Sequence, residues 1–340
     1  MLAGYADPET ERQAYEELAS ALVRIGHYGE AARAWADALR LTPLQDEDRA
    51  DSENTRALYE SLSDVAPQTI QFGKGAPIEA MHTPLGSWDV PVEVNGRQGD
   101  WVFDTGANLS AISESEASRM ELATRETSAY VGGSTGKKNP LRLAIARDLR
   151  FGSARLSNVV FLVLSDKALY VGPLKYQIRG ILGFPVLRAL GQVGISAAGL
   201  VRIEAEAAGA ADEPNLFFDG LSPIVQARHE GHRLQMFLDT GANASFVYPS
   251  FRDTLTRDQI SKLRRKRDRT GGAGEIVSRR TEVVPTLQLA ILGRNVELTN
   301  VSLLVSQPAG DGCYREGVLA MDGLVSGFTL DFRRMQLRLD

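Results

Sequence analysis

The sequence is poor in the residues that build metal and disulfide sites. Cys313 is the only cysteine in 340 residues. An intramolecular disulfide is therefore excluded, and so is a zinc site made of several cysteines. Histidine is nearly as scarce, with His27, His82, His229 and His232 scattered along the chain. The close pair His229 and His232 falls on an expected hairpin, where residues three apart point to opposite faces, so no metal site is expected. An excess of positive charge is also missing: 38 Lys and Arg stand against 43 Asp and Glu, a net charge of −5, which gives no reason to expect a nucleic acid partner. No apolar run approaches the length that spans a bilayer, and no transmembrane segment is expected. The start, "MLAGYADPETERQ", lacks the basic stretch and apolar middle of a leader. The expected compartment is periplasmic or extracellular if a leader was removed and cytoplasmic otherwise. No Gly-x-Ser-x-Gly elbow is present, and "GGSTGKK" lacks the spacing and following helix of a phosphate loop.

What is present divides into two textures. Residues 1–64 are rich in Ala, Leu, Glu and Arg, with Tyr15, Leu18, Ala19, Leu22, Ala31, Ala34, Trp35, Ala38 and Leu39 at helical spacing. Gly26 and Gly29 break the pattern between two helices, Pro43 closes the second, and a third is expected over 49–64. The spacing of Leu18, Ala19, Leu22, Gly26, Tyr28, Ala31, Trp35, Ala38 and Pro43 resembles one tetratricopeptide repeat. One repeat is too short for a solenoid groove. Two readings stand: a docking module for a protein partner, or a prop packed against the next domain. Residues 65–85 carry Pro and Gly without helical period and read as a linker holding an edge strand near 68–72.

From 86 onward short strands and turns take over. "WDVPVEVNGRQGDWVFDTG" gives a strand, an Asn95-Gly96 turn and a returning strand, the strongest short hairpin signal. Further strands are expected at 141–151, 158–164, 192–196 and 199–204. The Ala-rich acidic stretch 204–220 reads as linker, and the pattern then restarts. "WVFDTGANLSAIS" at 101–113 returns as "MFLDTGANASFVY" at 236–248. Gly132-Gly133 follows Asp104, and Gly271-Gly272 follows Asp239, at closely matched spacing. "GILGFPVL" is echoed by "GVLAMDGL", and "GLVRIE" by "RMQLRL". Four landmarks in one order, twice, mean two homologous β lobes. The expected domains are 1–64 helical, 65–85 linker, 86–206 first lobe, 207–222 linker and 223–340 second lobe.

One Asp-Thr-Gly turn is an ordinary loop feature. Two, related by a pseudo-twofold, can bring Asp104 and Asp239 face to face. Two carboxylates that close share one proton and titrate as a pair, the arrangement for general acid–base hydrolysis of an amide by water. At these residues the sequence resembles a retropepsin/pepsin-type aspartic protease, and more narrowly the bacterial retropepsin-like group with two lobes in one chain. "VFDTGA", "FLDTGA" and Ile181-Leu182-Gly183 carry the resemblance, over roughly 86–340. It implies a mostly β, bilobal fold, a peptide or protein substrate, a water nucleophile, and neither metal nor cofactor. Asp104 and Asp239 would be catalytic, with Thr105, Gly106, Thr240 and Gly241 supporting them. It also implies β-hairpin flaps over an extended peptide, with Tyr130, Val131, Gly132, Gly133, Gly271 and Gly272 as the flap residues, although Tyr130 reads first as a plain strand tyrosine and second as a flap tyrosine that closes the site. With both lobes in one chain, a monomer suffices for a complete site.

Two features depart from simple expectation. Leu319-Ala320 stands where the family pattern has Leu-Gly, and the added methyl is expected to distort the second aspartate loop slightly. The basic run 257–269, "RDQISKLRRKRDR", reads first as the solvated face of a helix and second as a surface for an acidic peptide or headgroup. The alternative to an endopeptidase is a catalytically inactive peptide-binding or scaffold protein on the same fold, although both Asp-Thr-Gly turns are intact.

Overall fold

The computed structural model describes residues 7–42, 49–73, 77–132, 138–204, 213–272, 275–306 and 315–340. Pro43, Gly133, Lys137 and Cys313 lie outside the described residues. The chain opens with three helices: α1 (Pro8–Arg24), α2 (Tyr28–Leu41) and α3 (Arg49–Glu60). Asp7 caps α1, its carboxylate accepting from the N–H groups of Glu9 and Thr10, and Pro8 sits in the first turn where no backbone donor is needed. Ala19 and Val23 of α1 pack on Tyr28, Ala31, Ala32 and Ala34 of α2, and on Tyr59 and Leu62 at the end of α3. The same apolar cluster continues into the first lobe through Leu109, Ala129, Leu141, Leu143 and Val160. The helices therefore bury their face on the lobe itself. Leu18, expected on that face, is instead 43% exposed.

The first lobe is built on the hairpin Trp88–Val94 and Arg97–Phe103. Asn95 (φ 50°) and Gly96 (φ 77°) turn it with two positive-φ residues, the geometry that follows strand twist. Gly180–Leu182 lies parallel to Arg97–Phe103, and Ser110–Ser113 lies antiparallel on its other side. Val159–Leu164 continues parallel to Ser110–Ser113, then Lys138–Ala146 and Thr124–Gly132 finish the sheet in antiparallel order.

The second lobe repeats this order and these directions. Ser222–His229 and His232–Leu238 form its hairpin, turned at Glu230 and Gly231, which sets His229 directly opposite His232 and so on the same side of the sheet, not on opposite faces as expected. Next come Gly317–Leu319 (parallel), Phe246–Val247 (antiparallel), Arg294–Leu304 (parallel), Glu275–Ile291 and Arg264–Gly272 (both antiparallel). The first lobe breaks Lys138–Ala146 from Leu149–Phe151, and Ala154–Ser157 from Val159–Leu164; the second runs each pair as one long strand.

A third, five-stranded sheet joins the lobes. Gln192–Ser196 of the first pairs antiparallel with Gly327–Asp331 of the second, from Gln192 opposite Asp331 to Ser196 opposite Gly327. Phe103 and Phe328 meet beneath it with ring centroids 6.3 Å apart. One continuous apolar core runs through both lobes. The fold is mostly β and bilobal, with N-terminal helices.

The chain differs from expectation in three stretches. Leu216–Asp219 is a strand paired with Ser222–His229, inside the acidic stretch read as linker. Within 65–85, Thr69–Phe72 is the edge strand expected near 68–72, but Ile78–Glu79 and Met81–His82 are two further strands in the stretch read as linker, each paired to a strand of the existing sheets. The basic run 257–269 is helical only over Arg257–Ser261, where Thr256 and Gln259 form a capping box. From Arg264 it becomes a strand, because nine residue pairs with Glu275–Ile291 outweigh the helix propensity of Arg and Lys.

Candidate active site

Each aspartate stands at the end of the second strand of its lobe's hairpin. Asp104 follows Arg97–Phe103, and its N–H bonds to the Leu182 carbonyl at 3.1 Å; Asp239 follows His232–Leu238, and its N–H bonds to the Leu319 carbonyl at 3.0 Å. The turn then folds back on the carboxylate. Asp104 Oδ1 accepts from the N–H groups of Gly106 (2.7 Å) and Ala107 (3.2 Å). Asp239 Oδ1 accepts from Gly241 (3.0 Å) and Ala242 (3.1 Å). One oxygen of each carboxylate is thereby occupied by backbone and the side chain cannot rotate freely.

The threonines lock the two turns together. Thr105 Oγ1 donates to the Leu238 carbonyl at 2.7 Å and accepts from the Thr240 N–H at 3.1 Å. Thr240 Oγ1 donates to the Phe103 carbonyl at 2.9 Å and accepts from the Thr105 N–H at 3.0 Å. Both side chains are buried, so four hydrogen bonds cross the pseudo-twofold without competition from water. Only a hydroxyl can donate and accept at one atom in this way.

The glycines allow the approach. A Cβ at Gly106 would lie 2.6 Å from Asp239 Oδ1, and a Cβ at Gly241 would lie 2.5 Å from the Asp104 carboxyl carbon. Each turn thus faces the other lobe's carboxylate at van der Waals distance. Burial raises the pKa of both acids. Asp104 is pushed up to about 8, by burial first and then by the neighbouring charge of Asp239. The hydrogen bond between the two carboxyls favours the proton on Asp104 and the charge on Asp239. The two acids therefore titrate as a coupled pair, with the proton favoured on Asp104.

A second ring of contacts supports the turns from below. The Gly183 N–H donates to Ser110 Oγ at 3.0 Å, and the Ala320 N–H donates to Ser245 Oγ at 2.9 Å. The Phe184 N–H reaches the Ala107 carbonyl (2.8 Å) and the Met321 N–H the Ala242 carbonyl (3.1 Å). The distortion expected from Ala320 does not occur: its methyl is buried, and the hydrogen bonds of the second turn match the first. Ala244 replaces the larger Leu109 there. Asp322 adds a clamp the first lobe lacks, accepting from the Ser245 N–H at 3.0 Å and from its hydroxyl at 2.5 Å. Ser110 and Ser245 were missed as candidates although both stand at the same offset after their aspartates. Asp322 has no counterpart in the first lobe, where Pro185 occupies the position, and so had no signal in the repeat.

The expected flap residues fall on hairpin arms. Tyr130, Val131 and Gly132 end the strand Thr124–Gly132; Gly271 and Gly272 end Arg264–Gly272; Gly133 is outside the described residues.

The aspartyl protease family model matches the chain twice, at residues 90–186 and 225–322, together more than half of it. Each match contains one aspartate turn, its supporting loop and the hairpin that carries the expected flap residues, and the N-terminal helices α1 to α3 lie outside both. Among solved structures the chain is similar to a retropepsin-like aspartic protease from Rickettsia conorii, at 17% identity over 39% of this chain and 92% of that one, with a TM-score of 0.29. No curated protein matches.

Proposed function

The chain belongs to the aspartyl protease family, and from that premise we propose that it is an aspartic endopeptidase whose acid–base pair is Asp104 and Asp239. The observation that supports this reading is the pair itself: two buried carboxyls, each held by its own turn and facing the other, both with pKa values raised by burial. Asp239, the ionised member, takes a proton from a water molecule as its oxygen attacks the peptide carbonyl. Asp104 gives its proton to the carbonyl oxygen, which becomes the second hydroxyl of a tetrahedral diol. As the C–N bond breaks, the nitrogen takes the proton now on Asp239 and leaves as an amine, while one diol hydroxyl returns its proton to Asp104 and the carboxylic acid forms. The proton count of the pair is restored, and neither metal nor cofactor enters the balance. Such sharing of one proton is general for aspartic proteases.

The substrate class that fits is an extended peptide laid between the lobes, bonded through its main chain to the hairpin strands. The threonine lock keeps the aspartates fixed relative to one another, so that little reorganisation is needed when charge moves.

The test is cleavage of a peptide library between about pH 4 and 8, wild type beside Asp104→Asn and Asp239→Asn. Cleavage by wild type and its loss in both variants is the expected outcome. A library left intact by folded wild type would favour a peptide-binding scaffold instead. Statine-type peptides, which mimic the diol, are expected to inhibit.

A further inference from the structure

The strand Thr124–Gly132 is the last strand of the first lobe's sheet, so among the described residues one of its edges has no neighbouring strand. Its pairing with Lys138–Ala146 also breaks between Glu126 and Tyr130. Within the break the chain bonds to itself, the Ala129 N–H donating to Thr127 Oγ1 at 3.1 Å. An edge strand with an interrupted ladder is poorly fixed by its own sheet.

Helix α3 and the turn after it supply what the sheet does not. Asn54 Nδ2 donates to the Tyr130 carbonyl at 2.9 Å, and Asn54 Oδ1 accepts from the Tyr130 N–H at 2.8 Å. One carboxamide thus satisfies both backbone groups of one residue, as the peptide of an adjacent strand would. The Ser61 and Thr127 hydroxyls meet at 2.8 Å. Arg125 donates to the Ser61 carbonyl at 3.1 Å and to Asp64 at 2.6 Å. Beneath these bonds Ala129 is buried in the helical cluster. Three contacts in a row, from Arg125 to Tyr130, bind this arm to the helices.

We propose that Asn54 is a positioning residue for the hairpin arm of the first lobe, and that helix α3 through it sets the arm's place over the peptide-binding cleft. The inference rests on the aspartic endopeptidase reading. The side chain at position 54 must be a planar amide, one donor beside one acceptor. A carboxylate there sets an oxygen against the Tyr130 carbonyl, and a methyl group makes neither bond. An arm released at Tyr130 samples more positions, and a peptide that bonds to it must first order it. The loss falls on binding: KM rises while kcat holds, because the aspartate pair is untouched.

The experiment compares full-length wild type, Asn54→Ala, the isosteric Asn54→Asp, and Arg56→Ala on the same helix as control. Hydrogen exchange over 124–132 and steady-state cleavage of the best-cleaved library peptide are measured on each. In both Asn54 variants, exchange at the Tyr130 amide is expected to rise about tenfold, and KM about fivefold to tenfold with kcat within about twofold. Arg56→Ala leaves all three unchanged. Unchanged exchange in the Asn54 variants overturns the proposal, as does raised exchange with an unaltered KM. Wild-type KM in Asn54→Asp overturns it too, since packing alone would then suffice. A wild type that binds a statine-type peptide without cleaving any substrate contradicts the protease reading alone, and the Kd of that peptide then takes the place of KM in deciding this one.

Discussion

The two lobes present the same strand at the same edge and protect it in different ways. Thr124–Gly132 and Arg264–Gly272 are each the terminal strand of their sheet. The pairing shows how closely they correspond. Arg142 lies opposite Val163, which runs beside Ile112; Glu282 lies opposite Leu303, which runs beside Val247. Ile112 and Val247 stand at the same offset after Asp104 and Asp239. Counted from there, Tyr130 opposite Pro140 corresponds to Arg267 opposite Arg280. At that position the first lobe receives Asn54 from α3. The second carries exposed Arg264, Arg265, Lys266 and Arg267, charges that make an open edge hard for another strand to join. Even the ion pair at the base is reversed: Arg142 binds Glu114 in the first lobe, and Glu282 binds Arg252 in the second. Duplication kept the aspartate turns and let the edges diverge, because chemistry needs both turns alike while an edge needs only to be closed.

The symmetry of the turns can be broken most severely at their glycines. Gly106→Ala and Gly241→Ala each place a methyl within 2.6 Å of the opposing carboxyl. Each is expected to lower kcat/KM by about a hundredfold or more, and by similar factors, since a small misplacement of the reacting groups costs about that much. Steady-state kinetics on folded variants would show it.

The next effect concerns the proton. Asp104 has its pKa raised from 3.8 to about 8 by burial and by Asp239. A carboxyl raised on folding contributes stability that is complete below its unfolded pKa and lost as pH rises through the folded one. Wild type should therefore lose stability relative to Asp104→Asn between about pH 4 and 8, and the two should converge below that window. Thermal unfolding across this range would measure it. The opposite slope would mean that the pair is ionised twice and not buried as described.

A smaller effect distinguishes the supporting loops. A Cβ at Gly183 would lie 2.5 Å from the Leu109 carbonyl carbon, whereas Ala320 already carries one. Gly183→Ala should cost about 1–3 kcal/mol in denaturant unfolding, and Ala320→Gly about 1 kcal/mol or less. Equal costs would show that the two loops are packed alike after all.

The mildest prediction tests the edges. Replacing Arg264, Arg265, Lys266 and Arg267 together by threonine is expected to leave the unfolding midpoint nearly unchanged but to promote self-association with concentration. Sedimentation would detect it.

What was legible in the sequence follows the same division. The hairpins at Asn95-Gly96 and Glu230-Gly231, the two aspartate turns and the landmarks after them are local signals, and duplication made each one stronger. The basic strand was read as helix because exposed charges on an edge show no alternation, and only its partner across the glycine turn reveals the ladder. Leu216–Asp219 sat in a stretch of acidic and small residues that conceals four strand positions. Asp322 and Asn54 were invisible for another reason: each matters through a residue far along the chain, Ser245 and Tyr130, and neither contact is duplicated.

The central claim is that Asp104 and Asp239 form one site and not two. Its most direct test is a double-mutant cycle on peptide cleavage: wild type, Asp104→Asn, Asp239→Asn and the double variant. Either single substitution is expected to remove cleavage as completely as both together. Substantial cleavage surviving in one single variant but lost in the other would contradict it.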